Sequence, residues 1–232
     1  ILKRLTPKPH RVDFIHCAYE GLTPLKIAEY DLVGVTCRTD TAHAAYAIGE
    51  LCKLCDVRSI VGGIHASILP EEAAPHFDAV AIGEAECYWP RIVSDAEVGQ
   101  LQEQYACEHD HKHTFPSPDM SSAAKYKFNI INSIETVRGC PFNCSFCSAT
   151  TYNGNKYRYK ETSEVINEVS NWKKPDRLAL FADLNVVANQ DKAKELFHAL
   201  SKKKLMWWGS ADIKVADDEE TLRLLSKSGC SY

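Results

Sequence analysis

The sequence predicts an α/β protein in which an open, doubly wound sheet is followed by the first half of a (βα) barrel. Three observations support this prediction: short apolar runs alternate with helical stretches, a polar segment interrupts the alternation, and the alternation then resumes. The 232 residues suit one large domain or two small ones. We expect residues 1–94 to form the first domain, residues 95–128 a linker, and residues 129–232 the partial barrel.

The composition is that of an ordinary globular chain that carries a metal site. Hydrophobic residues make up 45% and charged residues 25% of the chain, and the net charge of −4 argues against nucleic acid as a partner. No apolar run is long enough for a membrane span. The ten cysteines are too sparse for a disulfide scaffold and unevenly spaced. We therefore expect a reducing compartment, the cytoplasm, and a metal site.

Four short apolar runs are the predicted strands of the first domain. Each ends at glycine or a polar residue, as buried parallel strands do. The runs are residues 12–15, 31–36, 58–63 and 78–83. A helix is predicted between the second and third runs. Cys52 and Cys55 have the spacing of a zinc or redox pair, but both fall on the apolar face of this helix, which favours burial as small hydrophobic residues.

Three βα units are predicted after the linker. The strand candidates are residues 129–137, 178–183 and 205–210. One helix is predicted over residues 163–172, a second is capped by Asn189, and a third ends at Gly229. The chain starts at Ile1 without a methionine and stops at Tyr232, where a fourth strand should begin. We expect a fragment truncated at both ends, with the first strand of the first domain missing.

The strongest functional pattern is a cysteine-rich loop after the first barrel strand. Cys140, Cys144 and Cys147 are separated by four and three residues, which places three thiolates in one tight loop. A [4Fe–4S] cluster usually takes four thiolates, so three would leave one iron open to an exchangeable ligand. The alternatives are a zinc site, for which no convincing fourth ligand lies nearby, or three separate buried thiols.

The loop resembles the CxxxCxxC motif of the radical S-adenosylmethionine enzymes. Aromatic Phe146 before the last cysteine is common in that family, and the resemblance places it among the residues that bind S-adenosylmethionine. The resemblance implies that the open iron binds S-adenosylmethionine and that electron transfer cleaves this ligand to a 5′-deoxyadenosyl radical. Active sites of such barrels lie at the carboxyl ends of the strands, where this loop begins.

The same resemblance assigns residues at the ends of the next two strands. Asp183 and Asn185 would hold the amino group of S-adenosylmethionine, although Leu184 stands where relatives often have a second acid. Ser210 and Asp212 follow the third strand. They are either contacts of the carboxylate or ribose of S-adenosylmethionine, or simple helix or turn caps.

The first domain resembles the Rossmann-like, cobalamin-binding domain that precedes the barrel in one large subfamily. The segments that carry the resemblance are residues 31–36, 61–71 and 78–86. Ligands of open α/β sheets bind at the carboxyl ends of strands. The implied cobalamin contacts are Thr36, Cys37, Gly62, Gly63, Gly83 and Glu84. Because Gly62 and Gly63 are adjacent and lack side chains, they would let a flat group approach the backbone.

The Asp-x-His-x-x-Gly motif of corrinoid carriers, which supplies a histidine below the cobalt, is absent. The Asp13/His16 and Asp40/His43 pairs have the wrong spacing. Either cobalamin binds without a histidine ligand or the domain has lost the cofactor, and we expect binding. His65 lies near the carboxyl ends of the strands, where it either contacts a ligand or is a surface histidine, and the surface position is the commoner case.

The expected function is radical S-adenosylmethionine chemistry, with cobalamin-dependent methyl transfer to an unactivated carbon as the first candidate. Cyclisation and rearrangement also occur in that subfamily, and a non-catalytic cluster- or corrinoid-binding fragment is the candidate from another class. We expect a small-molecule or peptide substrate and an electron donor such as flavodoxin or ferredoxin; the catalytic residues are not identified.

The histidine-rich stretch 107–113 has metal-binding residue types but is predicted to be a solvated linker.

Overall fold

The computed structural model describes residues 1–107, 115–119, 121, 126, 131–172 and 178–231. The chain divides into two compact units, Ile1–Asp110 and His111–Tyr232. Most of the histidine-rich stretch and the first residues of the predicted strand 129–137 lie outside the described residues. In the described part of the chain, no helix has the length and apolar character needed to cross a membrane.

The first unit is built on one parallel sheet of four strands, which confirms the predicted α/β class. The strands are β1 (Leu32–Thr36), β2 (Arg58–Gly62), β3 (Ala79–Ile82) and β4 (Gln104–Ala106). They lie side by side in chain order, so the strand order does not reverse among the described strands. The register pairs Thr36 with Gly62 and Ile82 with Ala106, which brings the carboxyl ends of the strands to one edge.

Helices cover both faces of this sheet, as expected of a doubly wound domain. They are α1 (Leu2–Leu5), α2 (Pro24–Ile27), α3 (Ala42–Leu54), α4 (Ile64–Ile68), α5 (Pro70–Ala73) and α6 (Trp89–Glu97). Val61 and Val80 pack with α3, α4 and α5, whereas Ile60 and Ala79 pack with α6. Successive strand residues point to opposite faces, so each strand contributes to two cores.

The predicted strand 12–15 does not form. Residues 11–16 have no regular structure, and Phe14 is exposed. A strand requires a neighbour for its backbone hydrogen bonds, and this stretch has none in the described sheet. The apolar character of residues 12–15 was therefore not sufficient to predict a strand.

The predicted linker contains part of the first unit. Helix α6 continues to Glu97, and β4 pairs with β3 as an edge strand. The sequence did not indicate β4 because Tyr105 is its only buried residue. The structure also joins Cys87 to Cys107 in a disulfide directly after β4, a pairing that the expectation of a reducing compartment had not included.

The second unit contains the three predicted βα units. Its parallel sheet has the order β5 (Asn132–Ile134), β8 (Leu178–Phe181) and β9 (Met206–Trp208). A separate antiparallel pair consists of β6 (Val137–Arg138) and β7 (Arg158–Tyr159). The helices are α7 (Ala149–Asn153), α8 (Thr162–Ser170), α9 (Gln190–Leu200) and α10 (Glu219–Lys227).

The core of the second unit lies between its sheet and its helices. Trp207 is completely buried and packs against Phe181 and Phe197. Its indole N–H donates to the carbonyl and hydroxyl oxygens of Ser228, at the end of α10. A buried indole needs such a partner, so this tryptophan both fills the core and anchors the last helix.

Candidate active site

The cysteine loop follows β6 and is fixed at its start. Gly139 has a φ of +89°, and an added Cβ would lie 2.0 Å from the carbonyl oxygen of Lys156. Only glycine fits this close approach. The backbone N–H of Cys140 donates to the carbonyl of Gly154, and the Thr150 hydroxyl donates to the carbonyl of Cys140. The first cysteine is therefore held from both sides.

The other two cysteines lie on the open part of the loop. Cys144 and Cys147 are exposed, Cys140 is half-buried, and none of the three is in a disulfide. Phe146 between them is 91% exposed. Among the described residues, no three His, Cys, Asp or Glu side chains surround a common metal position. The three sulfurs are thus carried by one loop but are not gathered into a ligand set.

The donor set nevertheless fits an iron–sulfur cluster. Cysteine thiolates are the ligands that such a cluster takes from a protein. This loop carries three cysteines that are not in disulfides. Metal binding and local folding are coupled, so iron–thiolate bonds can close a loop whose sulfurs are apart beforehand. The anchored Cys140 provides the fixed point from which the exposed part of the loop would close.

Asp183 lies at the end of β8 and contacts the segment that leads into the cysteine loop. One carboxylate oxygen accepts hydrogen bonds from the backbone N–H groups of Thr136, at 2.6 Å, and Val137, at 3.0 Å. The other oxygen accepts from the Thr136 hydroxyl. The side chain is only 4% exposed. Burial raises the pKa of Asp183 to about 6, although the three hydrogen bonds act in the opposite direction.

This geometry does not support the expected role of Asp183 as a ligand of an amino group. Both of its oxygens are occupied by the chain itself, and the carboxylate is enclosed between β8 and the β5–β6 connection. The sequence could not show this, because Asp183 and Thr136 are 47 residues apart. Asp183 holds the base of the cysteine loop, and its position at a strand end does not expose it to a ligand.

A cavity of about 210 Å³ lies beside the loop and contains two of the predicted residues. Asn185 and Asp212 line it, together with Phe142 of the cysteine loop, Tyr157 and Lys214. The sequence analysis missed the last three. Phe142 could have been found as a second aromatic residue within the motif, whereas nothing in the sequence indicated that Tyr157 approaches Asn185.

The polar residues of the cavity are ordered by hydrogen bonds. The Asn185 Oδ1 atom accepts from the backbone N–H groups of Val187, at 3.2 Å, and Asp212, at 3.0 Å. Asp212 also accepts from the backbone N–H of Lys214 and so caps the turn that follows β9. Ser210 is exposed, and its carbonyl accepts from the N–H of Val186. Asp212 is therefore a turn cap, which was one of the two roles predicted for it, and its side chain also lines the cavity.

In the first unit, the predicted cobalamin contacts meet at the carboxyl edge of the sheet. Gly63 has a φ of +95°, and an added Cβ would lie 2.7 Å from the carbonyl oxygen of Cys37 and 2.9 Å from the hydroxyl of Thr36. The Ser67 hydroxyl donates to the carbonyl of Gly63 and accepts from the N–H of Gly83. Gly63 is therefore required by the chain's own packing, before any ligand is considered.

The neighbouring predicted contacts differ in their access to a ligand. The side chain of Cys37 is completely buried, and burial raises the pKa of its thiol. Glu84 is buried as well, whereas Thr36 is exposed and Gly62 is half-buried. A ligand at this edge would meet Thr36 and the backbone of the glycines more readily than the two buried side chains.

The histidine nearest this edge is buried, not on the surface as predicted. His65 is 3% exposed. Its Nε2 atom lies 2.7 Å from the Tyr46 hydroxyl and its Nδ1 atom 3.2 Å from the Thr39 hydroxyl. Both ring nitrogens are thus already in hydrogen bonds. Its packing against α3 explains its burial, and it offers no free nitrogen to a metal.

Replacement of Gly63 by valine is expected to destabilise the first unit by about 2–5 kcal/mol, because it combines backbone strain with a collision. A β-branched residue is disfavoured at positive φ, and its Cβ would contact the Cys37 carbonyl. Urea unfolding measures the effect. Gly21→Val is the control, since a Cβ there meets nothing within 4 Å. Equal stability of Gly63→Val and Gly21→Val would contradict the conclusion that packing requires glycine at position 63.

The similarity to known proteins extends over both units. No protein-family model matches the chain. It is 27% identical to bacteriochlorophyllide d C-8(2)-methyltransferase of Chlorobaculum tepidum, with 100% of this chain and 55% of the relative covered. It is 30% identical to bacteriochlorophyllide d C-12(1)-methyltransferase of the same organism, with 97% of this chain and 52% of the relative covered.

A solved structure shows the same fold. The radical S-adenosylmethionine methyltransferase TsrM from Kitasatospora setae, solved with cobalamin and a [4Fe–4S] cluster bound, superposes with a TM-score of 0.71 at 18% identity. The match covers 89% of this chain and 51% of that protein. The chain thus spans about half the length of the curated relatives and of the solved structure that it matches.

Proposed function

Because the chain belongs to the radical S-adenosylmethionine enzymes that carry a cobalamin-binding domain, we propose that it takes part in cobalamin-dependent methyl transfer to carbon. The cofactors of this proposal are a [4Fe–4S] cluster, S-adenosylmethionine and cobalamin. The observation that carries it is the anchored three-cysteine loop, one residue of which lines a cavity that also contains Asn185 and Asp212.

Cys140, Cys144 and Cys147 would hold three irons of the cluster. When bound, the cluster supplies the electron that cleaves S-adenosylmethionine to a 5′-deoxyadenosyl radical, and cobalamin carries the methyl group. The amide of Asn185 and the carboxylate of Asp212 would bind the polar groups of S-adenosylmethionine at the cavity wall. Phe142 lines the cavity on the side of the loop and would contribute an apolar surface next to the bound ligand.

The first unit would hold cobalamin at the carboxyl edge of its sheet. Thr36, Gly62 and Gly83 are at this edge, and His65 has both nitrogens in hydrogen bonds with the protein. Cobalamin would therefore bind without a nitrogen ligand from His65. We further propose a small-molecule or peptide substrate, an electron donor such as flavodoxin or ferredoxin, and a place in the cytoplasm.

The proposal is tested by adding S-adenosylmethionine to the anaerobically reconstituted and reduced chain. We expect the electron paramagnetic resonance spectrum of the cluster to change, because the ligand would occupy the open iron. Asn185→Ala is expected to weaken the response about tenfold or more in apparent affinity, as a hydrogen bond to a charged ligand is lost. The exposed Asn171→Ala is the matched control. A wild-type spectrum that stays unchanged would refute the proposed function.

A further inference from the structure

The cysteine loop is closed at its base by a very short pair of strands. β6 and β7 have two residues each and pair antiparallel, with Arg138 opposite Arg158. All three cysteines lie between these strands, in residues 139–157. A single pair of strands is only marginally stable in water unless other elements pack against it. The base of the loop therefore depends on the side chains that surround it.

One aromatic side chain packs against both sides of this base. Phe115 is 3% exposed. The guanidinium carbon of Arg138 lies 4.5 Å from the centroid of its ring, and the Nζ atom of Lys160 lies 5.4 Å from it. Arg138 is the last residue of β6, and Lys160 directly follows β7. A cation at this distance is attracted to an aromatic ring, more strongly where water is excluded. The ring thus contacts one cation on each side of the loop base.

Both cations are held in place by carboxylates. The Arg138 guanidinium donates to the two carboxylate oxygens of Glu135, at 3.0 and 2.7 Å. The Lys160 Nζ atom donates to Oε2 of Glu168, in α8, at 2.9 Å, and these two side chains are 1% and 7% exposed. A buried ion pair needs further hydrogen bonds to offset its loss of water. The pair of Lys160 and Glu168 therefore requires another polar partner.

Ser117 is such a partner. Its hydroxyl donates to Oε2 of Glu168, and the Lys160 Nζ atom lies 3.5 Å from its oxygen. The other carboxylate oxygen of Glu168 is buried and has no partner among the described residues, so this side chain relies on Lys160 and Ser117. The sequence analysis assigned Phe115 and Ser117 to a linker, but both belong to the second unit. Two residues of the predicted linker are thus bound to the base of the cysteine loop.

We propose that Phe115 and Ser117 are positioning residues that clamp the two ends of the cysteine loop together. The inference rests on the proposed function, because it takes this loop as the site of the cluster. Only Gly139 separates Arg138 from Cys140, so a shift of Arg138 would also move the first cysteine. Phe115 and Ser117 act through the base of the loop and not by binding iron.

The clamp would slow the loss of iron from the cluster. Cys144 and Cys147 are exposed and must close on the irons together with Cys140. Closing a loop costs conformational entropy, and the cost is smaller when the ends of the loop are already held together. Metal binding and local folding are coupled, so a loop that opens more readily also releases iron more readily.

The test measures how fast the anaerobically reconstituted full chain gives up iron to an excess of a ferrous chelator. Phe115→Leu keeps an apolar side chain but removes the aromatic face, and we expect iron release to be about tenfold faster. The electron paramagnetic resonance spectrum of the reduced cluster should also change, because the first cysteine shifts. Urea unfolding measures the general loss of stability.

Phe197→Leu is the matched control. Phe197 is completely buried in the core of the same unit, where it stacks on Trp207. The same substitution there should lower the free energy of unfolding but leave the rate of iron release and the spectrum close to those of the wild type.

Ser117→Ala makes a smaller change in the same clamp, and it decides the test if Phe115→Leu does not fold. It removes one hydrogen bond to Glu168, and we expect iron release to be about threefold faster. The exposed Ser121→Ala is its control.

The outcomes separate this inference from the proposed function. Failure of the wild-type chain to assemble a cluster would refute the proposed function and, with it, the clamp. Intact clusters with equal iron release and equal spectra in Phe115→Leu and Phe197→Leu would refute the clamp alone. Faster release and a changed spectrum in Phe115→Leu that Phe197→Leu does not share would support it, since a general loss of core packing would affect both variants.

Discussion

Replacement of Cys140, Cys144 and Cys147 together by alanine is expected to abolish iron binding. The wild-type chain should take up about four irons and four sulfides after anaerobic reconstitution, with a broad brown absorbance. The three thiols are free and lie on one loop, and the described residues contain no preformed group of three ligand side chains that could bind the iron instead. Iron and sulfide analysis with the absorbance spectrum measures the loss.

The control for this experiment is the double variant of Cys52 and Cys55, which should keep the full iron content. Cys52 is completely buried in α3, and burial raises the pKa of its thiol to about 11. Iron requires the thiolate, so a thiol in this surrounding is a poor ligand. The cluster assignment would fail if the triple variant retained iron, or if the double variant lost it.

Replacement of Asp183 by alanine is expected to lower the free energy of unfolding of the second unit by about 2–5 kcal/mol. The change removes the acceptor of two backbone N–H groups and one hydroxyl. Each buried donor left without an acceptor costs about 1–3 kcal/mol. Chemical denaturation followed by tryptophan fluorescence would measure the effect, because Trp207 lies in the core of the same unit. The exposed Asp191→Ala should change the stability far less.

The stability difference between wild type and Asp183→Ala should also depend on pH, with a sign that is unusual for a carboxylate. The folded pKa of Asp183 is about 6, above the usual 3.8, so the folded state binds this proton more tightly than the unfolded state. Its contribution to stability is therefore fully present below about pH 4 and is lost as the pH rises through about 6, by about 3 kcal/mol. The stability difference between wild type and Asp183→Ala should be larger at pH 4 than at pH 7. A difference that grew with rising pH would contradict the burial of this carboxylate.

Much of the fold could be predicted because it depends on local patterns. The apolar runs that became β1, β2, β3 and β8 are short and bounded by glycine or polar residues, and parallel strands buried on both faces have this pattern. Asn189 was predicted to cap a helix, and its side chain accepts from the N–H of Lys192 at the start of α9. Elements with little apolar content, such as β4, gave no such signal.

The sequence by itself determined which chemistry this protein can carry. Three cysteines at spacings of four and three residues predict the ligands of a cluster, because both ligand type and spacing can be read directly along the chain. The tertiary structure alone decided what the other polar residues do. Asp183 is enclosed by Thr136 and Val137, the space beside Gly63 is filled by Cys37, and Asn185 donates a hydrogen bond to the Tyr157 hydroxyl. The physical reason is that a hydrogen bond or a steric contact depends on distance in space, and residues 26 to 47 positions apart meet only after the strands have assembled.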